Sequence, residues 1–304
     1  MMKQLYLVFA MLACSLALKG ETPDIVAVKG SDAFASTLQA VEGLGGMERF
    51  VEPGNRVGIL VNSGFREKGA YVDPDVVIAA IQMVFDAGAT DVVFLQHIVP
   101  EYWERSALEP QYRDMIARTR TIEKNQFPSV YDEEWFVQIP TVEGAVELKD
   151  LEVVREFFDV DVFINIPIAK NHTLTVLTNA LKNVMGINTR AANVKFHLDG
   201  PARNDPHFLA QCIADLNLLR KADLIISDVT YVITTNGPSG PGEIVAPGKV
   251  VAGIDPVAMD AYCAELIGFF AEDVLTTEKA YALGLGEKNV EKLNILELEA
   301  AVAP

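Results

Sequence analysis

Two hydrophobic periods take turns along this chain. From residue 24 onward, short β-branched runs (PDIVAVKG, NRVGILVNS, DVVFLQH) are separated by amphipathic stretches (SDAFASTLQAVEGLG, PDVVIAAIQMVFDAG). Alternation between strand and helix periods builds βαβ units, so the pattern predicts an α/β fold with a mainly parallel sheet flanked by helices. Asp73 and Pro74 form a helix start and Gly88 a stop. After His97 the pattern loosens, and residues 101–150, with both tryptophans, are expected to leave the sheet as an inserted lobe or lid. Alternation resumes with the strand DVFINIPI, helices over 175–186 and 206–221, strands DLIISDV and KVVAGI, and the helix PVAMDAYCAELIG. A helix near 273–283 and a strand near 292–297 close the chain. No internal repeat or low-complexity linker divides it. Residues 20–304 are therefore expected to form one α/β unit with an inserted or divided smaller lobe.

The beginning departs from this pattern. Lys3 precedes a 14-residue apolar run over residues 5–18, too short to span a bilayer. It reads as a signal peptide over residues 1–19, with the small residues Ser15 and Ala17 placed for cleavage after Ala17. The alternative is lipoprotein attachment at Cys14. Either way the protein is expected to be exported, periplasmic or extracellular, with no transmembrane span.

Composition narrows the partners. The chain has 304 residues, half of them hydrophobic, enough for a sizeable core. Its formal charge of −17 opposes binding to nucleic-acid backbones or anionic lipid. Cys212 and Cys263 sit in apolar helical patterns and read as buried free thiols or one disulfide. No cysteine spacing suggests an iron-sulfur or zinc site.

Ligands of open parallel sheets lie beyond the carboxyl ends of the strands. Reading just past each apolar run gives Asn62 and Ser63, His97, Lys170 and His172, Asp228, and Asp255. One of these runs opens a longer anomaly: residues 162–198 contain no carboxylate, where average usage predicts about five. The cations of that interval are Lys170, Lys182, Arg190 and Lys195. On a helix over 175–186, Val176, Leu177, Ala180, Leu181 and Val184 form a buried face, and Thr175, Thr178, Asn179 and Lys182 the opposite stripe. A stripe of this kind without acids suits a wall for an anion or polar cofactor; a solvated face is the alternative. His197 and His207 follow near Arg203 and Asp205, and histidine serves either as metal ligand or as a group titrating near neutrality. The stretch TTNGPSGPGEIVAPG is a candidate rim or an ordinary loop, and lacks the lysine and hydroxyl of a P-loop.

Three segments, KNHTLTVLTNALKNVMG, NGPSGPGE and GIDPVAMDA, resemble signature blocks of the family called domain of unknown function 362 (DUF-362). The resemblance covers most of the mature chain. Many relatives carry a ferredoxin-type cysteine cluster that this chain lacks, so no iron-sulfur cofactor is implied. More distantly, Lys170, His172 and Lys182 are similar in order and spacing to residues of nickel-pincer lactate racemases. That similarity implies His97 and His172 as paired acid/base residues, Lys182 as a cofactor tether and His197 as a metal ligand. Ala180 and Leu181 stand where those enzymes place a glycine pair, and their early arginine motif survives at most as Arg66.

The expectation is thus an exported DUF-362 protein of unknown activity, an enzyme that binds a small anionic molecule or a phosphorylated or metal cofactor at the carboxyl edge of the parallel sheet. His97, His172 and Lys170 are its candidate catalytic residues. Lys182, Asn179, Asn183 and Asp228 are candidates for binding the ligand, and His197 for metal. The alternatives are a non-catalytic metal- or carboxylate-binding protein using His97, His172 and His197, and a module docking an acidic partner on the basic island.

Overall fold

The computed structural model describes residues 22–122 and 134–300. The proposed signal peptide and Cys14 lie outside the described residues. The first βαβ units follow the sequence pattern: β1 (Ile25–Lys29), α1 (Ala33–Gly43), β2 (Arg56–Val61), α2 (Pro74–Asp86) and β3 (Asp91–Phe94). Asp73 caps α2, its carboxylate accepting from the Asp75 amide, and Pro74 takes the first turn, where its missing N–H costs nothing. The stretch that leaves the pattern supplies α3 (Pro100–Trp103), α4 (Glu109–Ile116) and β4 (Arg120–Thr121), which joins the main sheet beside β3. It continues into a separate antiparallel ribbon of β5 (Phe136–Ile139) and β6 (Leu151–Val154). Tyr102 of α3 is fully buried and donates to the Val72 carbonyl at 2.9 Å, so this helix packs on the body of the protein.

After α5 (Glu156–Asp159) comes β7 (Val162–Ile166), buried along its whole length. The hairpin of β8 (Lys170–His172) and β9 (Val176–Thr178) follows, then α6 (Ala180–Asn183), α7 (Arg190–Leu198) and α8 (Pro206–Leu216). The chain ends with β10 (Leu224–Val229), the short ribbon of β11 (Val232–Ile233) and β12 (Ile244–Val245), β13 (Lys249–Gly253), α9 (Pro256–Leu266), α10 (Leu275–Ala282) and β14 (Ile295–Glu299). The main sheet has eight strands in the order β14-β1-β13-β10-β7-β2-β3-β4. All neighbours are parallel except β13, which runs against both β1 and β10.

Helices cover both faces of this sheet. Gly43 of α1 lies against Val26, whose cross-strand partner is Ala252. The next residue, Gly253, points to the other face, where it meets Met259 of α9. α2 packs with α1, whereas α10 packs against both α8 and α9. Cys212 and Cys263 are free and buried, and no described helix is long and apolar enough to cross a membrane.

Two expectations are corrected. Residues 175–186 do not form one helix: the first part is β9, and the helix is the four-residue α6 followed by a 3-10 turn over Val184–Ile187. Thr175, Thr178 and Asn179 are therefore buried, not members of an outward stripe. Asp255 does not lie at the carboxyl edge of the parallel strands. β13 is antiparallel, so its end sits beside the start of β1. Asp255 caps α9 there, accepting from the Val257 and Ala258 amides.

Candidate functional site

β3 and β7 run parallel, so the residues that follow them emerge on one edge of the sheet. β10 is parallel to β7 and shares that edge. Main-chain bonds from Ala169 to the Asp228 carbonyl (3.0 Å) and from Asp228 to the Pro167 carbonyl (2.9 Å) extend β10 along the segment leading to Lys170. The β8–β9 hairpin then stands over the edge, with Val176 forced to φ 64° at its bend, a conformation that strains a β-branched residue. The NGPSGPGE block clamps it from outside. The Gly237 amide donates to Asn171 Oδ1 at 2.8 Å, and the Thr173 hydroxyl donates to the Gly237 carbonyl at 2.7 Å. A methyl group on Gly237 would overlap the Asn171 carbonyl, so only glycine allows this approach.

Beneath the hairpin is a cavity of about 400 Å³ lined by His97, Lys170, His172, Lys182 and His197, together with the amides Asn62, Gln96, Asn183 and Asn193. None of its lining residues is a carboxylate. Among the described residues no acidic side chain pairs with Lys170 or Lys182. Lys170 is 0% exposed; its ammonium donates to the Ala70 carbonyl and lies 3.6 Å from the centre of the Phe65 ring. Burial, and then the charge of Lys182, push its pKa down to about 6. The stem of Lys182 is partly exposed but its ammonium is enclosed. It has Met185 Sδ at 3.7 Å, and desolvation lowers its pKa to about 8. Thr178, 3% exposed, lines the same cavity, and its hydroxyl is buried without a protein partner.

The histidines carry their protons differently. His172 Nδ1 accepts from the Leu174 and Thr175 amides, both at 3.3 Å, so its neutral ring holds the proton on Nε2. Burial, reinforced by Lys182, His197 and Lys170, pushes its pKa down to about 2 and keeps it neutral. His97 Nδ1 lies 3.2 Å from the Ile122 carbonyl, which can only accept. The neutral tautomer of His97 that this contact selects carries its proton on Nδ1 and a lone pair on Nε2. His197 Nδ1 faces Asn204 Oδ1 at 3.2 Å, and burial followed by Lys182 lowers its pKa. The cavity thus contains a hydrogen-bond donor and a proton acceptor of the same residue type. The three histidines share the cavity without converging: among the described residues no three His, Cys, Asp or Glu side chains form a metal-holding group.

Two expected ligand contacts lie elsewhere. Asn179 is 0% exposed, and its amide donates to the Met259 carbonyl at 3.2 Å, facing α9. Asp228 accepts from the Asp73 amide (2.7 Å), the Thr230 amide (2.8 Å) and the Thr230 hydroxyl (2.6 Å). It lines a neighbouring pocket with Tyr71, Asp73 and Arg105, where burial, then Asp73, push its pKa up to about 6. Asn183 does line the cavity, held by its bond to Asn165 Oδ1 at 2.7 Å. Sequence reasoning missed Phe65, Gln96 and Asn193. Phe65 alone left a trace, as an aromatic residue among the polar and glycine residues that follow β2.

Fold and site together define a class: an α/β protein with a cationic, carboxylate-free cavity at the carboxyl edge of a mainly parallel sheet. The chain belongs to the family described as domain of unknown function DUF362, whose pattern matches residues 57–265. Among curated proteins it resembles the thylakoid-associated protein sll1697 of Synechocystis sp., with 25% identity over 274 residues, covering 85% of this chain and 77% of that protein. Two solved structures are similar. One is a lactate racemase apoprotein from Thermoanaerobacterium thermosaccharolyticum (TM-score 0.47, 13% identity, 86% of this chain). The other is a structural-genomics protein from Thermotoga maritima (TM-score 0.40, 13% identity, 79% of this chain). This chain spans 56% of the first and 60% of the second.

Proposed function

We propose that the cavity binds a small organic anion, that His97 moves a proton on it, and that neutral His172 holds and polarises it. His97 would accept the proton through Nε2, and His172 would donate a hydrogen bond through Nε2–H. The observation that carries this reading is a pair of desolvated lysines, Lys170 and Lys182, in a cavity without a carboxylate. Lysines whose charged form is disfavoured by burial, and at Lys170 also by Lys182, gain most from an arriving negative charge. The amide of Asn62 adds a neutral group for hydrogen bonding.

Calorimetric titration of the full chain with acetate, lactate and inorganic phosphate tests the reading. Binding of at least one of these is expected, and Lys182→Ala should reduce the affinity at least tenfold. Undiminished binding by Lys182→Ala would show that the lysine is only part of a solvated wall.

A narrower form of the proposal has a metal-bearing cofactor as the anion. Lys182 would hold it through its partly deprotonated amine, and His197 would supply a nitrogen ligand. When bound, such a group would supply an electron-accepting centre. Intact mass and metal analysis of protein from the native host would report an adduct on Lys182. The same spectrum tests a separate proposal, export with cleavage near residues 14–20, which rests on Lys3 and the apolar run that follows. An unprocessed N-terminus would overturn that proposal.

A further inference from the structure

A second cavity adjoins the first. Asn193 and His197, one helical turn apart on α7, line the inner cavity and also a neighbouring one of about 400 Å³. This outer chamber is walled by Val194 and Leu198, with Arg190 and Arg203 beside them, and again no carboxylate contributes. The faces of α7 explain the arrangement. Ala192 and Phe196 are buried in the core, Asn193 and His197 face inward, and Val194 and Leu198 are left 42% and 50% exposed. Two apolar side chains one turn apart, at the rim of a polar cavity, form a patch that water does not favour.

The inner chamber offers lysines and amides; the outer offers an apolar wall with guanidinium groups at its rim. A small hydrophilic anion would use only the first. We propose that the ligand is an amphipathic organic anion. Its charged head lies in the inner chamber, and its aliphatic or aromatic body passes Asn193 and His197 to cover Val194 and Leu198. The two volumes together suit a ligand considerably larger than acetate. The inference rests on the inner chamber binding the head.

The test is a homologous series. Binding of n-alkyl carboxylates from acetate to octanoate is measured on the full chain by calorimetry, with n-alkyl phosphates as a second series for the other head group. Affinity should rise about fourfold for each methylene that leaves water, once the chain is long enough to reach Val194. In the double variant Val194→Ser, Leu198→Ser the rise should flatten. Phe270→Ser, which changes an apolar residue 70% exposed and outside both chambers, should keep the rise. If no member of either series binds, the reading of the inner chamber fails and this inference falls with it. If acetate or phosphate binds but longer chains bind no more tightly, only the amphipathic ligand is overturned. An undiminished rise in the double serine variant would overturn it as well, by placing the body of the ligand elsewhere.

Discussion

At the scale of single residues, Lys182 and Lys170 make the cavity's demands measurable. Lys182 titrates near 8 in the folded protein against an ordinary 10.5. A depressed amine pKa means that the unfolded chain holds its proton more tightly. The cost to folding is therefore fully present below about pH 8 and fades between pH 8 and 10.5 as the folded amine deprotonates. Lys182→Met removes that cost and orphans no hydrogen-bond partner, since its described neighbour is the Met185 sulfur. The variant should be more stable than the parent by about 1 kcal/mol at pH 7, a figure discounted for the partly exposed stem. The advantage should shrink by pH 10. Denaturant melts at both pH values check this, and equal stabilities at pH 7 would refute it. Lys170 gives a prediction about binding. With its pKa near 6, it is largely neutral at pH 7.5, and an anion that raises that pKa must bring a proton with it. Anion affinity should fall as pH rises above 6. The binding heats at pH 7.5 in Hepes and in Tris should differ in the sense of proton uptake.

At the scale of elements, the βαβ units were legible because each has a single period and a marked boundary, as at Asp73 and Pro74. Residues 175–186 were not, because their valines, leucines and alanines satisfy either period over so short a run. What settles the matter is distant in sequence: β9 pairs with β8, and the loop around Gly237 pins β8 through Asn171. Asn179, extended at φ −159°, then ends the strand and admits only a short helix. α7 was hidden for the opposite reason, since its polar and cationic residues blur an apolar face that is only Ala192 and Phe196. The direction of β13 cannot be read from a hydrophobic pattern, but the connection before it carried a clue. Parallel neighbours need a crossover, usually a helix, whereas residues 231–248 are rich in glycine and proline and helix-free. The clamp gives this scale its own prediction. Gly237→Ala should push the loop off β8, cost about 1–3 kcal/mol of stability and weaken anion binding, because Lys170 and His172 lie on that strand. Urea denaturation together with calorimetry measures both effects, and a variant that binds normally would free the hairpin of any dependence on the loop.

Across the whole molecule, the site was legible where topology alone decides it and illegible where side-chain direction does. His97, Lys170, His172 and Lys182 could be placed together because three of them follow parallel strands and the fourth shares their acid-free interval. Asp228 satisfies the same edge rule yet turns into a different pocket, because the Asp73 and Thr230 amides claim its oxygens. Charge adds a long-range consequence. A chain of formal charge −17 encloses two carboxylate-free chambers bearing Lys182, Arg190 and Arg203. At low ionic strength an approaching anion feels mainly the repulsive outer field. At physiological salt the Debye length shortens to about 8 Å, which removes the distant charges and leaves the cations at the mouth. Electrostatic steering by complementary fields slows as salt is added; here the association rate should rise between 10 mM and 150 mM salt. The dissociation rate should change far less, because short contacts to enclosed lysines are screened much less than exposed charges. Stopped-flow measurement with an anion that binds wild-type protein checks both rates. An association rate that falls steadily with salt would mean that the cavity's own field extends beyond that of the acidic surface, and this balance of charges would be wrong.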